Sequence, residues 1–223
     1  MRTLLWTLLV LALLAVGVDR GADWYAEREV AARLVSSQQL EADPDVDIAG
    51  FPFLTQALAR RLDEVRVTSD DVVVRRDGGE LRLARIRATF TDVTTDRDLT
   101  RVAAARGRAV ATISYAELAR LTGLEVAYAG DGRVRGGREV TLAGRSFTPE
   151  VVVRPRLTEG AVRFVDAAAE GSLPAAVVAV VQAAFDVDLP VDGLPYDVRP
   201  ESLSATADGL RLVLVGRDLS FAG

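Results

Sequence analysis

Leu81-Arg82-Leu83-Ala84-Arg85-Ile86-Arg87-Ala88-Thr89-Phe90 is the stretch on which the fold turns. Leu81 and Leu83 lie on one parity of an extended strand, while Ala84, Ile86, Ala88 and Phe90 lie on the other. A strand has a side-chain period of two, so a slip of one residue moves the apolar set to the opposite face. A β-bulge or a sharp bend produces such a slip. The stretch therefore predicts a strongly curved sheet.

Strand-like patterns continue on both sides. Upstream, Val65 and Val67 alternate with polar partners and Val72-Val73-Val74 is a short apolar run. Downstream, strands are predicted at Leu124–Ala129, Glu139–Ala143, Glu150–Leu157, Val162–Val165 and Leu210–Val215. Val151, Val153 and Leu157 oppose Arg154 and Arg156, as in an antiparallel sheet with one wet face. Gly78-Gly79 and Gly136-Gly137 read as hairpin turns between such runs. Helices interrupt the strands. Ser114-Tyr115-Ala116-Glu117 is a capping box and Gly123 a stop, which predicts a helix from Tyr115 to about Thr122. Leu54, Leu58 and Leu62 are expected to share one helical face, and Ser172-Leu173-Pro174 opens Ala175–Phe185, apolar all round except for Gln182. The fold class is α+β, a long curved antiparallel sheet wrapped on helices.

The N-terminus faces a membrane. Met1-Arg2 precedes an apolar run from Leu4 to Val18, closed by Asp19-Arg20. One positive charge before about 15 apolar residues is the grammar of a secretory signal. As a helix the run is about 22 Å long, short for a hydrocarbon core of ~30 Å. An anchor that stays and a leader that is removed both fit residues 1–21, with one domain over 22–223. Either way the domain is expected outside the cytoplasm, in the cell envelope, periplasmic or secreted. Ala22 to Gln39 continues as a helix, with Ala26, Val30 and Leu34 at i+4 and a favourable Glu29–Arg33 pair.

Composition removes most chemistry. The 223 residues include no histidine and no cysteine, so no Ser-His-Asp triad, thiolate nucleophile, disulfide or Cys/His metal site can form. With a net charge of -5 and no basic block, nucleic acid is a poor partner. Asp43-x-Asp45-x-Asp47 opens like an EF-hand loop, but Ile48 and Leu54 stand where Gly and Glu are needed. No metal, cofactor or catalytic residue is expected. A carboxylate-dependent hydrolase is the remaining enzymatic alternative, with Glu64, Asp70, Asp71, Asp92, Asp96 and Glu117 as its acidic candidates.

Asp45-Val46-Asp47-Ile48-Ala49-Gly50-Phe51-Pro52-Phe53-Leu54-Thr55-Gln56, followed by Leu62-Asp63-Glu64-Val65-Arg66-Val67, resembles the signature of the LmeA-like phospholipid-binding proteins of the actinobacterial envelope. Ala109–Gly123 and Leu189–Leu214 extend the resemblance. It departs at Ala59-Arg60-Arg61, where a typical member is expected to carry a glycine. The resemblance implies a tubular-lipid-binding-like fold with an apolar groove for acyl chains and no catalytic residues. Phe51, Phe53, Leu54 and Leu58 are candidate groove residues beside the turn. Phe90, Phe164, Val177, Val178, Val181 and Phe185 are candidates from the strands and the apolar helix. Arg60 and Arg61 are candidates for an anionic head group, since the guanidinium fork matches phosphate. The expected partners are phospholipid and the membrane. The competing reading is an envelope scaffold with a packed core and no lipid.

Overall fold

The computed structural model describes residues 2–38, 43–76, 79–97, 101–142, 144–158, 161–169, 179, 183, 189–190 and 197–222. Helix α1 (Arg2–Gln38) runs through the apolar segment and into the amphipathic one without a break. It is followed by β1 (Asp45–Ala49), α2 (Phe53–Ala59), β2 (Arg61–Arg76), β3 (Gly79–Thr95), β4 (Arg101–Ile113) and α3 (Tyr115–Thr122). Then come β5 (Glu125–Gly130), β6 (Arg133–Gly137), β7 (Val140–Leu142), β8 (Arg145–Phe147), β9 (Glu150–Thr158) and β10 (Ala161–Ala169). The chain closes with β11 (Leu189–Pro190), β12 (Arg199–Thr206) and β13 (Gly209–Ala222). Among the described residues the strands form a six-stranded sheet in the order β1-β2-β3-β4-β13-β12, a five-stranded sheet β11-β10-β9-β6-β5, and the pair β7-β8. The architecture is mostly antiparallel strand with a few helices, as an α+β reading requires, and none of these three sheets closes on itself among the described residues.

The chain divides into two compact units. Met1–Asp70, Arg87–Arg108 and Gly216–Gly223 make unit 1, and Asp71–Ile86 with Ala109–Val215 makes unit 2. In unit 1, Val46, Ile48 and Phe53 are buried against the stripe of α1 that carries Ala22, Ala26, Val30 and Leu34. The i+4 spacing of these side chains turns one helical face to the sheet, which is why this half of α1 docks. In unit 2, Leu83, Ile113, Leu118, Val134, Val151, Val153 and Leu210 form the core. Val151 and Val153 are enclosed while Arg154 and Arg156 face water, so the wet-face pattern holds from Val153 onward, whereas Val152, on the parity of the arginines, is buried as well. Pro155 is tolerated on β9 because its pairing with β6 stops at Val153–Val134, where no further N–H is needed on that side.

Two expectations change. Gly136 and Gly137 are not a turn but lie inside β6, paired with Val126 and Glu125 on one side and with Val151 and Glu150 on the other. The hairpin turn falls at Asp131-Gly132 instead. Gly137 is required there because a Cβ would come within 2.7 Å of the Pro149 carbonyl oxygen. Leu54, Leu58 and Leu62 do not share one helical face either, because α2 ends at Ala59. Leu62 already belongs to β2, and Phe53 is the buried side chain of α2 while Leu54 and Leu58 are exposed.

The parity change within 81–90 is present in burial. Arg82 is exposed, then Arg85 and Arg87 on the opposite parity, around buried Leu83. No left-handed residue marks it. Left-handed φ occurs elsewhere in the long strands, at Asp71 (53°), Asp92 (54°), Asp166 (58°) and Asp218 (51°). At Asp166 the register between β10 and β9 slips between Val165 and Ala168. Aspartate suits these places because its short polar side chain tolerates αL better than most.

Of the predicted apolar helix Ala175–Phe185, only Ala179 and Ala183 are described. Both are helical and exposed. Val177, Val178, Val181 and Phe185 lie outside the described residues, and so does Gly78 of the first predicted hairpin.

Candidate functional site

The turn that leads into α2 is built from its own sequence. Gly50 adopts φ 116°, and a Cβ there would collide with the Gln56 side chain. Gln56 folds back over this glycine, and its Oε1 accepts the Asp63 N–H at 2.8 Å, tying the helix to the start of β2. Phe51-Pro52 is a cis peptide, and Phe53 then points into the core at 6% exposure. Pro52 occupies the N-cap position and offers no side-chain acceptor. The cap comes instead from α1. The buried Asp19 carboxylate accepts the Phe53 N–H at 3.0 Å and the Leu54 N–H at 2.8 Å. Glu27 on α1 accepts the Ile48 N–H at 2.9 Å. The motif is thus a device that fixes the turn on α1.

What the device leaves outside is apolar. Phe51 is 59% and Leu58 85% exposed, with Leu54 between them. The Arg20 guanidinium lies 5.2 Å from the centre of the Phe51 ring, and Arg28 lies 4.3 Å from that of Trp24. Both are cation–π distances. Trp24 and Tyr25 are exposed, as is the apolar run of α1 from Leu9 to Val18. Beside this surface Asp23 is buried, and burial pushes its carboxyl up, with Arg20 opposing and Asp19 and Asp47 reinforcing the shift. Arg20 Nη1 donates to Asp23 Oδ2 at 3.2 Å.

The remaining predicted residues are dispersed. Phe53 is core. Phe90 stacks edge-on with Phe221 at 5.5 Å in unit 1, and Phe164 packs against the core of unit 2. Arg61 is engaged with Asp92 at 2.7 Å, and Arg106 reaches the same carboxylate at 3.3 Å. The hydrogen bond from Arg61 is the leading cause that holds the Asp92 carboxyl below its usual range. Arg60 is exposed and caps α2 in the left-handed region, φ 53° and ψ 37°. Among the described residues, no cluster of carboxylates could hold a metal ion, and no helix is long and apolar enough to cross a membrane. Arg20, Trp24 and Arg28 were not picked out from sequence. Their signal was the i+4 spacing of cation, aromatic and cation directly after the apolar run.

The LmeA-like phospholipid-binding family model matches residues 17–214, most of the chain. The chain belongs to that family. No curated protein and no solved structure matches it. Membership connects the chain to lipid binding rather than to any known class of enzyme. In this LmeA-like chain the matched region begins at Gly17, so Asp19 and the whole turn motif fall inside it. The glycine expected near 59–61 also has a structural meaning, since Arg60 holds the αL conformation that glycine adopts freely. Arg60→Gly is expected to raise the stability of unit 1 by about 1 kcal/mol, because L-residues bear a cost of that order in αL. Urea denaturation of both proteins checks this; a lower midpoint for the glycine variant would mean that the Arg60 side chain makes a stabilising contact.

Proposed function

We propose that this chain is a non-enzymatic, extracytoplasmic protein of the cell envelope that binds phospholipid in an apolar groove and serves envelope lipid or lipoglycan maintenance. The observation that carries the reading is the family match over residues 17–214. The export grammar of Arg2 and the apolar run supports the location. The absence of histidine and cysteine from the sequence supports a binding role, as it removes the commonest nucleophiles and bases. The carboxylates named as hydrolase candidates include several with structural partners. Glu117 is bound to Arg120, Asp92 to Arg61 and Glu64 to Arg66.

Affinity has a simple source. Burying apolar chain is worth about 0.8 kcal/mol per CH₂, so one sequestered acyl chain supplies most of what binding needs. Exposed arginines favour an anionic head, through forked donors that match phosphate geometry. Native mass spectrometry of the full chain purified in mild detergent tests the reading. A retained phospholipid mass is expected, and its repeated absence would favour the packed-core scaffold. A reporter fused after Gly223 is expected to be active only outside the cytoplasm; cytoplasmic activity would overturn the location.

A further inference from the structure

We propose that unit 1 seats on an anionic phospholipid bilayer through one surface, made by Arg20, Trp24 and Arg28 of α1 together with Phe51, Leu54 and Leu58, while the apolar run of α1 enters the same bilayer. This deepens the phospholipid-binding reading and rests on it only for the chemistry of the ligand.

Helix α1 joins this surface to the apolar run without a break. From Leu9 to Val18 the apolar side chains of α1 are exposed on every side. A helix apolar all round requires an apolar surrounding. The run is too short to span a bilayer, yet at 1.5 Å per residue it reaches well into one leaflet. The same helix continues unbroken to Gln38, docked on β1 by core packing and the Glu27 hydrogen bond and on α2 by the two Asp19 hydrogen bonds. Wherever the apolar run lies, residues 20–28 are therefore held at its exit.

The side chains at that exit suit a head-group layer. Arg20, Trp24 and Arg28 recur at i+4, so neighbours in the series are about 6 Å apart along the axis, comparable with one head-group layer of about 5–8 Å, and Arg20 and Trp24 fit within it. Tryptophan favours this layer because its ring is apolar and its N–H polar. Each arginine rests on a ring, Arg20 on Phe51 and Arg28 on Trp24. A guanidinium stacked in this way keeps edge N–H donors for phosphate. Arg20 also gives one N–H to Asp23.

Phe51, Leu54 and Leu58 extend the surface beyond α1, all three exposed among the described residues. Phe53 alone fills the core of this turn. The three others stand exposed around the point where Asp19 pins α2 to α1. Scattered exposed leucines need no explanation, but an apolar cluster continuous with a buried-type helix and edged by cations does. A bilayer with anionic heads matches both the apolar and the basic part.

The test uses the full chain with Trp6→Phe, which leaves Trp24 as the single tryptophan of the two in the sequence. It is reconstituted into vesicles of phosphatidylglycerol and phosphatidylcholine and into phosphatidylcholine alone. On the anionic vesicles, Trp24 is expected to be several-fold less accessible to acrylamide than on the neutral ones, and to be quenched by lipids brominated near the head group. Leu58→Glu and Phe51→Ser, each added to this background, are expected to restore most of the acrylamide quenching. Leu58→Glu is the safer variant for folding because the side chain is 85% exposed. Trp24 fully open to acrylamide on anionic vesicles overturns the proposal. Equal shielding on neutral vesicles overturns the part given to the arginines, and shielding unchanged in both variants overturns the part given to the turn. Native mass spectrometry of the same preparations separates the two readings. Retained lipid with an open Trp24 removes the docking surface and keeps lipid binding. Shielded Trp24 without retained lipid does the reverse.

Discussion

Glu117→Ala is expected to destabilise unit 2 by about 3 kcal/mol, since it strips a buried carboxylate from several partners at once. Glu117 is 6% exposed, and its Oε1 accepts the Arg82 N–H at 2.9 Å. Arg120 donates to Oε2 at 2.8 Å and to Oε1 at 2.6 Å. Removing the carboxylate leaves one strand N–H and one guanidinium edge without their acceptor. Arg120 keeps its bond to the Glu80 carbonyl, at 2.6 Å. The hydrogen bonds from Arg120, then from the Arg82 backbone, hold the Glu117 carboxyl at about 2 against the opposing effect of burial. A group whose folded pKa is depressed stabilises fully above its unfolded pKa, here about 4.5, and loses that contribution as pH falls through the folded value. The wild type is therefore expected to lose about 2 to 3 kcal/mol between about pH 5 and pH 2 through this group alone. Glu117→Gln keeps the shape and one acceptor, so it should flatten that part of the acid slope. Urea midpoints across this range for both proteins decide it; identical slopes would mean that Glu117 does not titrate with folding.

Asp19→Ala is the second large effect, expected to cost unit 1 about 2 to 3 kcal/mol through two charge-assisted hydrogen bonds to backbone donors. Phe53 N–H and Leu54 N–H, 34 and 35 residues away, lose the carboxylate that caps α2. Asp19→Asn keeps one acceptor oxygen and should cost about half as much. Hydrogen exchange provides a local readout. The Phe53 and Leu54 amides should exchange faster in the alanine variant while the unit 2 amides, such as those of β9, do not. Unchanged protection at these two amides would show that α2 does not depend on α1.

Local rules account for the parts that were legible. Ser114 Oγ accepts the Glu117 N–H at 3.2 Å, and Gly123 ends α3 in the left-handed region, as the residues between them require. The reciprocal half of the capping box was not legible, because Glu117 turns its carboxylate to Arg82 of a strand distant in sequence. Strand β4 gave little periodic signal, being rich in alanine and arginine with Gly107 inside it. The reason for that glycine is tertiary. A Cβ there would collide with Leu219 and press on Phe90, two side chains that pack over it from other strands. The motif at 45–56 was visible as a family feature, but its cap was not. Asp19 read as the polar end of an apolar run, and only the fold brings it to Phe53. The exposed Phe51 and Leu58 likewise follow from how Asp19, Gly50 and Gln56 orient α2, which no helical wheel contains.

Strands β2, β3, β4 and β13 each pass from one unit into the other, and this path has a consequence for how the protein is made. Unit 1 is assembled from three separate lengths of chain, the last being Gly216–Gly223. That last length carries Leu219, which is enclosed, and Phe221, which meets Phe90. During synthesis unit 1 therefore has to wait for Gly216–Gly223 to leave the ribosome, long after its helix α1 has emerged. No contiguous excision can deliver either unit by itself, and a stop placed after Val215 damages the unit that holds helix α1.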